Sequence, residues 1–248
     1  MLINEILLIG KCVVVLSFCF VTLGQLLVFL SSHTHLKYSS NRLQDRNHGN
    51  ALIPVLINLS LLSLFGLQHS LQARQSVKYY LQSRGYDVIE RLLYNCGSCI
   101  ALQVLMYLWQ PIPDWTVWEI VTSKHVLLWW FFSVVHGIAW MAIYSSCFIM
   151  DVTELLGVKQ VYHHLKGWPK PMNLKSEGLR RFYSHMRHPS FSALAVILFI
   201  HPVMHLDRLL LAYTCTIFML LHFKVDEIDY TYQRRMLQRK ARELSMNN

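Results

Sequence analysis

The chain has 248 residues, of which 54% are hydrophobic and 15% charged, and a formal net charge of +9. Soluble domains carry about 25% charged residues, so this composition excludes an ordinary water-soluble fold and leaves lipid as the solvent for the surplus apolar surface. The positive charge sits mostly between apolar runs, where it signals membrane topology, and no direct nucleic-acid binding is expected.

A bilayer core of roughly 30 Å needs about 20 apolar residues as a helix. Runs poor in Asp, Glu, Lys and Arg predict spans over about 6–30, 51–69, 92–109, 125–150, 190–206 and 209–223, followed by a charged C-terminal helix over 224–245. The first four runs are long enough to cross comfortably. The last two, separated only by Asp207 and Arg208, predict a tight hairpin that either spans or re-enters. Backbone polar groups in lipid must be satisfied within a segment, and the lengths and Leu, Phe and Met content select helices over barrel strands. The expected fold class is therefore all-α: one polytopic membrane domain over 1–248, with about six transmembrane helices and interfacial amphipathic helices. Pro54 and Pro202 should kink or end their helices. The start, MLINEILLIGK, lacks a basic leader and a clear cleavage site, so it reads as an uncleaved anchor.

With six spans, segments 70–91, 151–189 and the tail from 224 share one side and hold 17 Lys and Arg residues; segments 32–50, 110–124 and 207–208 hold five. Basic loops stay cytosolic, which places both termini in the cytosol or nucleoplasm. Trp109, Trp115, Trp118, Trp129 and Trp130 cluster where an aromatic belt would mark the opposite interface. All six cysteines lie in apolar runs, away from any disulfide framework. Cys96 and Cys99 have redox-motif spacing, but in a span they read as small packing residues.

Residues 151–167, DVTELLGVKQVYHHLKG, put Leu155, Val158, Tyr162 and Leu165 at helical spacing, as in a helix lying along the interface. A second amphipathic piece starts at a Ser176 cap and carries Leu179, Phe182, Tyr183 and Met186 into MRHP, residues 186–189. The hairpin after Pro189 would return the chain to the same surface, so that Arg187 and His188 become neighbours of Lys224, Asp226, Glu227 and Asp229. Arg offers a rigid donor fork, His exchanges a proton near neutral pH, and the carboxylates hold a cation or take a proton. Such a cluster suits a small ligand carrying both charges. Equally, Arg187 can anchor to headgroups while the acidic trio starts a solvated helix and pairs with Arg234 and Arg235.

Smaller polar features accompany these. Gln68, His69 and Ser70 close the second span, as a functional group or as a helix cap. Lys159, Gln160 and His163 are expected to meet headgroups. His136, His201, His205 and His222 lack paired ligand spacing and read as neutral, hydrogen-bonded packing residues, so no metal is expected. Asn58-Leu-Ser60 is a sequon inside a span and should be silent.

The strings FGLQHSLQA (65–73), YLWQPIPDWTVWE (107–119), ELLGVKQVYHH (154–164), SHMRHP (184–189), DRLLLA (207–212) and QRRMLQRK (233–240), in this order, resemble the nurim family of inner nuclear membrane proteins nearly end to end. That family in turn looks like a relative of the isoprenylcysteine carboxyl methyltransferases and methanethiol methyltransferases of membranes, which use S-adenosylmethionine. The resemblance implies an isoprenylcysteine methyltransferase-like fold, with Tyr183, Arg187, His188, Pro189, Phe191, Asp226 and Glu227 around the cofactor and Arg187 and Glu227 in catalytic positions. Phe191 stands where those enzymes have tyrosine, Ala193 replaces a glycine, and Asp226 with Glu227 replaces two glutamates. After Tyr230 the tail lacks the tyrosine-rich, proline-containing ending that closes over the cofactor. Two readings follow. One is a nuclear-envelope protein with a structural or interaction role, its partners being membrane lipids and nuclear-envelope or lamina proteins; the other is a methyltransferase acting on a thiol or lipophilic substrate. Inner nuclear membrane placement comes from the resemblance, and endoplasmic reticulum residence fits the physics equally well.

Overall fold

Helices account for most of the computed structural model, which describes residues 2–32, 51–176, 178–180, 190–222 and 227–246. In chain order they are α1 (Leu2–Ser31), α2 (Leu52–Gln72), α3 (Gln75–Ser83), α4 (Glu90–Leu108), α5 (Val126–Ile149), α6 (Val152–Leu155), α7 (Val158–Leu165), α8 (Phe191–Phe199), α9 (Leu206–His222) and α10 (Glu227–Met246). Glu5–Ser31, Leu52–Gln72 and Val126–Ile149 are each long and apolar enough to cross a bilayer. The chain is a helical membrane protein. To the helices it adds two short strands, β1 (Thr116–Glu119) and β2 (Val203–His205), paired antiparallel.

The strand pair alters the expected hairpin. Residues 190–206 do not form one helix: α8 has nine residues, about 13 Å at 1.5 Å per residue, and Val203–His205 of the same run form β2. The break falls where His201 precedes Pro202, since a residue before proline is pushed out of the helical region. The freed backbone finds partners in the strand pair and its margins: Ile120 N–H donates to the Pro202 carbonyl (2.8 Å) and Leu206 N–H to that of Trp115 (2.9 Å). Pro54 does not interrupt α2. It lies in the first turn, where an N–H has no acceptor within the helix.

Cross-helix contacts fix the directions. Cys12 clusters with Leu92, Cys19 meets Cys99 and Thr22 meets Gln103, so α1 and α4 run parallel. Asn58 meets Gln110 and His69 meets Tyr94, so α2 opposes α4. Ser146 meets Ser190 and His136 meets Ile200, so α5 opposes α8. Gly66 abuts Phe218 while Asp207 bonds Trp109, so α9 runs with α2. These contacts make the described long helices alternate in direction along the chain. One end of the bundle gathers the strands; the other, the basic end, gathers α3, α6, α7, Ser190 and the close of α9.

The core lies between them. Ile197 and Leu198 of α8 and Ala212 of α9 are fully buried, joined by Leu61, Leu62, Leu105 and Trp140. A smaller cluster of Cys12, Leu92 and Val161, backed by Leu8, Ile89 and Leu165, seats α7 on α1 and α4.

Two sequence expectations change here. Trp109 is a buried core residue whose indole N–H donates to Asp207 (3.0 Å), not a belt residue; Trp115, Trp118, Trp129 and Trp130 stay exposed. The interfacial helix of 151–165 is broken at Gly157, whose φ of +89° is left-handed. The break rotates α7, so Val161 and His163 face inward and Tyr162 faces out, edge-on to Trp168.

Candidate functional site

The basic end is built around the first half of α4, which serves two neighbours. On one side Tyr94 places its hydroxyl 2.9 Å from the His69 ring of α2. One turn on, Gly97 lets the Gln68 and Gln72 side chains close in, with Gln68 Nε2 donating to Gln72 Oε1 at 2.6 Å. A Cβ on Gly97 would come within 2.8 Å of the Gln72 amide, so only glycine fits this arrangement unmoved. Gln68 thus bonds Gln72, and the His69 ring meets Tyr94.

On the other side Asn95 donates to the Leu155 carbonyl (3.0 Å), tying α4 to α6. Asp151, at φ 62°, caps α6 by accepting from Glu154 N–H (3.3 Å). Burial works against its charge, but Lys159 at 2.5 Å, the Thr153 hydroxyl and that N–H prevail and hold the carboxyl down at about 2. Glu154 is buried with Lys175, Nζ to Oε2 2.8 Å, each side chain under a tenth exposed. Gln160 donates to the Glu154 carbonyl (3.1 Å), and His163 Nδ1 lies 2.7 Å from the Pro169 carbonyl oxygen. Lys159, Gln160 and His163 thus each have a partner within the protein, and of the three His163 is buried. Lys170 lies 3.0 Å from Asp87 and holds that carboxyl below its ordinary value, outweighing burial. These bonds fold 151–175 back against the bundle, so that the chain enters the next segment from a fixed point. Ser176 then caps its successor through Leu179 N–H (3.3 Å).

Of the expected cofactor residues, Tyr183, Arg187, His188, Pro189 and Asp226 lie outside the described residues. Phe191 is half-buried in the first turn of α8, and Glu227 is exposed as the first residue of α10. Of the flanking residues, a Cβ on Gly178 would lie 3.3 Å from the Tyr232 hydroxyl of α10, and Ser190 Oγ is 2.5 Å from Ser146 Oγ at the close of α5. No group of three or more potential metal ligands occurs among the described residues.

The sequence reading missed the Asn58, Asp207 and Arg208 clasps at the strand end, whereas His136 and His201 are the hydrogen-bonded packing residues it expected. Asn58, fully buried, spans the Gln110 backbone: Nδ2 donates to its carbonyl (2.8 Å) and Oδ1 accepts its N–H (2.9 Å). Asp207 accepts from Trp109 and from Ile112 N–H (3.2 Å), and Arg208 donates to the Leu30 carbonyl. The His136 ring approaches Ser31 Oγ (2.9 Å) and the Ile200 carbonyl (2.7 Å), and the His201 ring the Val203 carbonyl (2.7 Å). The available signal was a polar residue inside an otherwise apolar run, which demands a partner.

The chain is 37% identical over 245 residues to the nurim homolog of Drosophila pseudoobscura pseudoobscura, covering 97% of each. It is 39% identical over 231 residues to the nurim homolog of Drosophila melanogaster, 89% of each, and 41% identical over 207 residues to nurim of Homo sapiens, 82% of this chain and 77% of that relative. No family model matches the chain, and no solved structure does.

Proposed function

This chain belongs to the nurim family, and from that premise we propose that it is a multi-pass protein of the inner nuclear membrane with a structural or interaction role. The observation that carries the role is the use made of polar groups inside the bundle. Intramembrane polar residues are costly and usually mark a pathway or a reactive site. Here Asn58, Asp207, His136 and His201 are bonded to the backbone of other segments. They fasten the fold. The basic end, facing the nucleoplasm with both termini, then presents α3, 151–180 and α10 to nuclear-envelope or lamina proteins. Photobleaching of tagged protein in cells tests this. Deleting a whole span should release the protein from the envelope, while Arg187→Ala should leave its residence and mobility unchanged; lost residence in Arg187→Ala would overturn the reading.

A second reading has its own support. Gly178 lies beside Tyr232, and α8 and α9 fold back so that the chain on both sides of 181–189 and of 223–226 emerges at one end. This is the arrangement an S-adenosylmethionine pocket of Arg187, His188, Asp226 and Glu227 on a methyltransferase-like fold needs. Titration calorimetry of the purified chain with S-adenosylmethionine decides it: saturable binding, weakened at least about tenfold by Arg187→Ala (~1.4 kcal/mol), supports the pocket. No saturable binding at millimolar cofactor ends it.

A further inference from the structure

The C-terminal helix carries a feature that neither reading uses. At 100° per residue, Tyr230, Leu237, Ala241 and Leu244 of α10 fall within an arc of about 60°. Their large members are open: Tyr230 is 66% exposed, Leu237 69% and Leu244 60%. Lys240 and Arg234 border this arc on its two sides, and Arg235, Arg239 and Arg242 add charge behind it. Tyr232, on the far side of the helix, is the residue beside Gly178. The apolar stripe therefore points away from the rest of the described chain. Only four residues separate α9 from α10, at most about 18 Å of extended chain between His222 and Glu227, so α10 starts close to where α9 leaves the bilayer.

We propose that α10 lies on the anionic leaflet at the basic end, with Tyr230, Leu237 and Leu244 sunk among the acyl chains and Arg234 and Lys240 on lipid phosphates. Charge selects this occupant. A narrow apolar stripe bordered by cations matches a negatively charged lipid surface, into which long basic side chains snorkel, whereas the same borders on a second copy would repel. The assignment rests on α9 ending at a membrane surface and is independent of whether the protein is a scaffold or an enzyme.

Hydrogen exchange of residues 227–246 in the full chain, held in nanodiscs, tests the proposal. Amides over 230–245 should exchange at least about tenfold more slowly in phosphatidylcholine with 30% phosphatidylserine than in phosphatidylcholine alone, the scale expected for two basic side chains at an anionic surface. High salt should reverse the difference. Arg234→Gln with Lys240→Gln should remove the lipid dependence, and Leu237→Glu with Leu244→Glu should remove the protection. Both pairs lie on an exposed helix and leave the bundle folded. Equal exchange in the two bilayers would overturn the proposal, as would protection that follows protein-to-lipid ratio instead of lipid charge, which would assign the stripe to a second copy.

Discussion

The buried pair of Glu154 and Lys175 offers a quantitative test of how the 151–175 segment is held. The two charges are 2.8 Å apart with each side chain under a tenth exposed, and they join α6 to the end of the turn at Pro171–Leu174. Removing one partner of such a pair strands a charge in a poorly solvated place, a loss of roughly 3–5 kcal/mol. Replacing both with apolar residues of similar size removes both desolvation penalties and is often neutral. Glu154→Leu and Lys175→Met should each therefore open the segment by about 3 kcal/mol, more than a hundredfold in the opening equilibrium. The double variant should recover most of that loss, leaving a coupling of about 3 kcal/mol or more. Hydrogen exchange over 152–176 in detergent-solubilised protein reads the local opening directly. Single-variant losses that add in the double variant to within about 0.5 kcal/mol would refute the pair as the fastener of this segment.

Three further perturbations follow from single residues. Asn58→Leu leaves both the N–H and the carbonyl of Gln110 without their partner, at about 1–3 kcal/mol for each group; denaturation in detergent should show a loss of at least about 2 kcal/mol, and an unchanged midpoint would remove the clasp. Gly157→Ala should cost about 2 kcal/mol or more by the same measurement, because the residue has φ +89° and its added methyl would lie 3.1 Å from the Leu92 backbone nitrogen. Asp151 has its carboxyl held at about 2, below the ordinary 3.8, so its contribution is complete above about pH 4 and disappears as pH falls through about 2. Exchange over 152–165 should accelerate across that window and lose the acceleration in Asp151→Asn; an identical pH profile in the variant would show that Asp151 is not responsible.

The parts of the fold that were legible are those set by solvent. The apolar runs that became α1, α2 and α5 announce themselves because a backbone in hydrocarbon must close its own hydrogen bonds. What the sequence concealed depends on partners distant along the chain. Residues 190–206 are equally apolar whether they face lipid or pack as Ile197, Leu198 and Met204 do against neighbouring segments, so apolarity alone does not separate one helix from a short helix and a strand. Pro202 was the local warning. The turned face of α7 traces to the left-handed Gly157, since a period of 3.6 carries across a break only if the break is absent. Asp207 with Trp109 lies 98 positions apart, and Asn58 with Gln110 lies 52 apart; each looked like an isolated polar residue until the bundle supplied the other half. Within the candidate site, Gln68, His69 and Gln160 were recognisable as polar residues at the membrane edge, while their actual partners Gln72, Tyr94 and the Glu154 carbonyl were not.

The arrangement of the bundle into a strand end and a basic end is tested most directly by topology in cells. With epitope tags on both termini and a glycosylation acceptor placed within residues 110–115, selective permeabilisation of the plasma membrane should expose the N-terminal tag on the cytosolic side or, after nuclear permeabilisation, on the nucleoplasmic side. The C-terminal tag should behave identically, and the acceptor at 110–115 should be glycosylated. Tags exposed on opposite sides, or glycosylation of an acceptor placed instead within 166–170, would contradict the alternating arrangement and with it the shared surface on which every functional reading of this chain depends.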